Sequence, residues 1–143
     1  RRFTHRRYFN RMENRSISEE YTDIALRLIN EKPELEHIRD SEVTICYLSS
    51  DKEKASKGRD VFGDCEKVPD RYKWAVPCDF IITVYEPNVE RFSEEQIEIL
   101  LFHELLHVGI EKDGNEERYY IVPHDVEDFV EIINKYGLNW NKT

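Results

Sequence analysis

From Ile99 to Val108 the chain reads I-L-L-F-H-E-L-L-H-V, and its only polar residues are His103, Glu104 and His107. Ser93 precedes this run with Gln96 three positions later, the spacing of a capping box, and Glu94 and Glu95 suit a helical first turn. The segment therefore predicts a helix that is apolar around most of its circumference, and such a helix is buried. Gly109 is expected to end it. A buried polar side chain without a partner costs about 1–3 kcal/mol, and an unpaired charge costs more. Three such groups inside one buried helix demand a common partner, and nothing else in the sequence restricts the fold as strongly.

His103-Glu104-Leu105-Leu106-His107 is an H-E-x-x-H motif. Residues four apart lie one turn along the same helix face, about 5–6 Å between Cβ atoms. Two imidazoles at that spacing both reach one Zn²⁺ at about 2.0–2.1 Å. Glu104 is rotated about 100° from His103, outside the ligand pair but beside the metal, where its carboxylate can take a proton from water. Zinc lowers the pKa of water to about 7. The competing explanation is a set of hydrogen-bonded core histidines. A structural zinc site usually closes four protein ligands, often cysteines, and no cysteine lies near this helix. A catalytic site with one open position is the expectation.

That site needs a third protein ligand. His124 leads, 17 residues after His107, beyond a turn at Asp113-Gly114-Asn115 and next to Asp125. Asp113 is a rival at the position a compact H-E-x-x-H-x-x-G-x-x-(H/D) site would use, but Ile110 stands where that pattern needs Gly. Glu127 is a third candidate, on a predicted last helix. Asp125 would either orient an imidazole or cap that helix, and a hydroxyl from Tyr119 or Tyr120 could face an oxyanion.

Around the motif, one α+β domain is the economical reading. Ser16 to Glu19 has a capping-box pattern, followed by Ile17, Tyr21, Ile24 and Leu28 at helical spacing until Pro33. Val43 to Leu48, Arg71 to Val76 and Asp79 to Tyr85 read as strands, the last apolar on both faces and so covered on both. Ser49 to Lys67 reads as a hairpin or long loop, and Tyr119 to Val122 as a short extended run. A last helix carries Val126, Phe129, Val130 and Ile133. His5 and His37 read as exposed, and Cys46 and Cys78 as small core residues.

Composition narrows the function. The 143 residues carry 21 Lys+Arg against 30 Asp+Glu, a net charge of -9, which argues against non-specific binding to nucleic acid or an anionic membrane. Residues 1–15 are the exception, six arginines against Glu13, and read as a basic N-terminal arm before a single domain over 16–143. Three cysteines without a C-x-x-C pair point away from a disulfide scaffold and toward a reducing, cytoplasmic setting. No apolar run approaches the roughly 18 residues that span a bilayer.

The stretches D-F-I-I-T-V-Y-E-P-N, L-L-F-H-E-L-L-H-V-G-I and Y-Y-I-V-P-H-D-V-E-D-F resemble the phage-type metallopeptidases, small zincin-like proteins of phages and integrated elements. The resemblance covers roughly residues 40–138, and the downstream P-H-D is its more specific part. It implies a minimal zincin fold, a small mixed sheet packed on an N-terminal helix and on the buried H-E-x-x-H helix. It also implies His103, His107 and His124 as zinc ligands and Glu104 as the catalytic base. The expected activity is hydrolysis of a peptide or protein substrate, with the Asp79–Tyr85 strand offering a backbone edge to an extended peptide. Two alternatives stand beside it. One is a zinc-binding regulatory module without turnover, which would not need Glu104. The other is a DNA-associated protease of the SprT-like group, whose usual zinc ribbon is absent from this sequence.

Overall fold

The computed structural model of the chain describes residues 13–123. The expected last helix, with Asp125, Glu127 and the proposed ligand His124, lies outside the described residues, as do His5 and the first twelve residues of the basic arm.

The fold is α+β, and its centre is a mixed four-stranded sheet. Strand β1 (Arg15–Ile17) pairs antiparallel with β2 (Ile45–Ser50), β2 runs parallel to β6 (Phe80–Tyr85), and β6 pairs antiparallel with β5 (Gly63–Lys67). Helix α1 (Glu19–Glu31) follows β1, and a 3₁₀ turn at Pro33–Leu35 leads into the short α2 (Glu36–Arg39). Between β2 and β5 lies a small hairpin of β3 (Ala55–Ser56) and β4 (Arg59–Asp60). After β6 come the short α3 (Glu86–Val89), the central helix α4 (Glu94–Leu105), and a hairpin of β7 (Val108–Asp113) and β8 (Glu116–Ile121).

One face of the sheet packs on α1 and α4. Tyr47, Phe80, Ile82 and Val84 meet Leu28, Ile99, Leu101 and Leu105 there, all of them buried. The other face differs from its apolar expectation. Thr83 and Tyr85 are buried on it, but through polar contacts. Arg15 donates to the Thr83 hydroxyl at 3.1 Å and to the Tyr85 hydroxyl at 3.3 Å, and Tyr85 in turn donates to Asp64 at 2.7 Å. Glu13 and Arg15, read from sequence as the end of the basic arm, are thus tied to the sheet; burial alone would raise the Glu13 carboxyl, but hydrogen bonds from Arg15 and Ser50 hold it below its usual range.

Three local expectations change. Ser18, not Ser16, caps α1, its hydroxyl accepting from the Tyr21 N–H at 3.1 Å. The chain stays extended through Ile17 because that residue pairs with Leu48. Arg71 to Val76 is no strand: bracketed by Pro69 and Pro77, it forms a 3₁₀ turn at Asp70–Tyr72 and further tight turns. Helix α4 stops at Leu105, four residues before Gly109. Gly109 lies inside β7 opposite Tyr120, whose ring stands 2.4 Å from where a Cβ would sit, so this glycine serves strand packing rather than helix termination. The capping box of α4 forms as expected, with Ser93 and Gln96 bonded reciprocally at 2.9 and 3.2 Å. Among the described residues no helix is long and apolar enough to cross a membrane.

Candidate active site

Helix α4 carries His103 and Glu104 in its last turn, both buried. The helix then tightens rather than unwinding: Leu106 N–H bonds Phe102 O at 3.0 Å and His107 N–H bonds Glu104 O at 3.1 Å. This extra turn keeps His107 one turn above His103 before β7 begins. The two rings stand nearly perpendicular, with centroids 5.0 Å apart.

The residue just past β8 fixes the His107 ring. Val122 N–H bonds the His107 carbonyl at 2.8 Å, and the His107 Nδ1 lies 2.6 Å from the Val122 carbonyl. A carbonyl oxygen only accepts, so Nδ1 carries the hydrogen and a neutral ring bears its lone pair on Nε2. That is the tautomer a metal requires, held by a backbone carbonyl as metal-binding histidines usually are. The residues therefore fit a bound cation in kind and spacing. Among the described residues no cluster of three His, Cys, Asp or Glu side chains is arranged around a metal position.

Glu104 lies under the start of β5. A Cβ built on Gly63 would stand 3.6 Å from Glu104 Oε2 and 2.9 Å from the Thr83 carbonyl. The missing side chain lets the strand approach the carboxylate. Burial pushes the Glu104 carboxyl up to about 8; the charge of Asp64 adds to the rise and that of Lys54 opposes it. Asp64 sits on the opposite face of β5, where its Oδ2 accepts from Lys54 Nζ and from the Tyr85 hydroxyl, each at 2.7 Å.

Sequence reasoning brought His103, Glu104 and His107 together but missed Gly63, Asp64, Lys54 and the Val122 carbonyl. Only Gly63 left a signal, as a glycine at the head of a strand. Two candidates fall away. Asp113 ends β7 at the hairpin tip, five strand steps from Val108 or about 17 Å. It is exposed and faces Arg118 at 3.7 Å, so it cannot share a metal with His107. The Tyr119 hydroxyl donates to Glu117 at 2.8 Å and its ring packs edge-on against Phe80, so it is not an oxyanion donor. Strand β6, expected to offer a peptide edge, is interior between β2 and β5. The edge belongs to β5. Tyr85 N–H bonds Phe62 O and Val68 N–H bonds Asp79 O, so by antiparallel alternation the peptide groups of Gly63, Cys65 and Lys67 point to the outer side. No described strand pairs with them there.

Gly63→Ala should therefore act at the site as well as on stability. Its Cβ must displace backbone, at a cost of about 1–3 kcal/mol. The expected result is a lower urea midpoint together with loss of activity in the fraction that remains folded. A variant with parental stability and parental activity would show that the close approach of β5 has no functional role.

No curated protein and no solved structure matches the chain. One family model does, over residues 13–143, taking in Glu13, Arg15 and α1 as well as the segment that carried the resemblance in sequence. The motif, its place at the end of a buried helix, and a match over nearly the whole chain converge: the chain belongs to the family described as "Putative phage metallopeptidase".

Proposed function

We propose that this protein is a zinc-dependent peptidase. His103, His107 and His124 would hold the ion, and a zinc ion held there supplies Lewis acidity, lowering the pKa of water to about 7 and polarising a carbonyl oxygen. Glu104 accepts the proton of the attacking water and passes it to the leaving amine. The observation that carries this reading is the His107 ring, fixed by the Val122 carbonyl in the ligand tautomer one turn above His103 and beside a buried Glu104.

The raised Glu104 carboxyl fits the same picture. At about 8 it keeps its proton at neutral pH until a positive charge comes near. A divalent cation held by the histidines would favour the ionised carboxylate, the form in which Glu104 accepts a proton. The peptide groups of Gly63, Cys65 and Lys67 are suited to receive an extended peptide by strand addition, with Gly63 at the end beside Glu104.

The purified protein is expected to contain about one zinc per chain. Chelation should stop cleavage of an unfolded protein substrate and lower the melting temperature by about 5 °C or more. Elemental analysis that finds no transition metal, with no uptake on adding zinc, would end this reading.

A further inference from the structure

Strand β5 leads directly into the loop 69–78, which joins it to β6. The loop is pinned along its length. Tyr72 N–H bonds Pro69 O at 2.9 Å, and the N–H groups of Ala75 and Val76 both bond Tyr72 O, at 3.0 and 2.9 Å. Lys73 reaches Asp79 at 3.0 Å and lies 5.2 Å from the centre of the Tyr119 ring, while Cys78 is buried. From this fixed loop Trp74 projects with 85% of its surface exposed and Tyr72 with 47%. Leaving a large aromatic in water forgoes burial free energy, and tryptophan and tyrosine are the side chains that most often anchor a bound partner.

We propose that Tyr72 and Trp74 form a remote subsite for a large apolar side chain of the peptide that lies along β5. This rests on the preceding reading that β5 carries the substrate. Glu104 stands at the Gly63 end of the strand, and the loop begins beyond Lys67 at the other. Four strand steps span about 13 Å, and a peptide paired with β5 advances at the same rise of about 3.3 Å per residue. A substrate residue about four to six positions from the scissile bond therefore meets the aromatic pair. Lys73 over the Tyr119 ring ties the loop to β8, which also packs against β5.

The charges on the loop select the occupant. Lys67 faces Asp70 at 3.6 Å, and Lys73 faces Asp70 and Asp79. The Arg71 guanidinium lies 4.7 Å from the centre of the Tyr72 ring. The basic side chains are thus largely matched within the loop, and a chain of net charge -9 is a poor receiver of phosphates. The surface offered is aromatic, and an apolar peptide side chain is its complement.

The test is binding, so that it does not depend on turnover. Fluorescein-labelled Gly/Ser/Ala peptides of about twelve residues, about 40 Å when extended, carry one Phe walked through successive positions. Anisotropy is read on zinc-loaded Glu104→Gln protein with and without Trp74→Ala. One distal Phe position should raise affinity about tenfold, and Trp74→Ala should abolish that gain while leaving the Phe-free peptide unchanged. In a Trp140→Phe background, which leaves Trp74 as the sole tryptophan, its emission should shift to the blue only with that peptide. A position profile unaltered by Trp74→Ala overturns the subsite, as does failure of every peptide to bind. Absence of cleavage by the parent protein counts against the peptidase reading instead, and the binding profile still judges the subsite.

Discussion

Glu104→Gln is expected to cut peptide hydrolysis by at least about 10²-fold while leaving zinc content unchanged. The amide keeps the volume and the buried position of the side chain under Gly63 but cannot accept a proton. Because burial already holds the carboxyl near 8, the neutral amide costs the metal-free fold little, and thermal stability should stay close to parental. The loss should fall on kcat, since the β5 peptide groups proposed to receive the substrate are untouched. Steady-state rates on an unfolded protein, read beside metal analysis of the same sample, check both halves. Parental activity in this variant would remove Glu104 as the base. Asp64, whose charge reaches Glu104, would then be the first carboxylate to examine.

His124→Ala is expected to weaken zinc binding by at least about 10²-fold and to abolish activity, because two imidazoles alone leave a catalytic zinc one protein ligand short. The path of the chain past β8 favours this ligand. Val122 bonds His107 through both its N–H and its carbonyl, so the chain has returned to the motif two residues before His124. Pro123, with its restricted φ, is the only residue between them. Asp113→Ala should keep parental affinity, since that carboxylate sits at the far tip of the hairpin. Glu127→Ala should retain most of the metal. Competition titration with a chromophoric chelator ranks the three variants. Tight zinc binding in His124→Ala together with weak binding in Glu127→Ala would transfer the third ligand to Glu127.

Much of this site was readable from local sequence. The pair of histidines on one helix face follows from a period of 3.6 residues, and the start of α4 from the Ser93–Gln96 box, both confined to a few consecutive positions. The turn at Gly114, with φ +67°, and the strand over Phe80–Tyr85 were legible for the same reason. Such features depend on a residue and its near neighbours, whose geometry the peptide backbone dictates.

What surrounds the motif was decided elsewhere. Leu105 ends α4 because Val108 pairs with Ile121, and Gly109 is small because Tyr120 covers it. Strand β6 is interior and β5 is the edge because β2, more than thirty residues earlier in the chain, takes the other side of β6. Arg15 reaches Thr83 and Tyr85 across separations of 68 and 70 residues, and Asp64 comes near Glu104 only because Gly63 admits the strand. The sequence by itself determined which side chains the site carries and how the helix spaces them. The tertiary structure alone decided which edge lies beside Glu104 and which carbonyl orients His107, because those contacts join segments whose pairing no local period encodes.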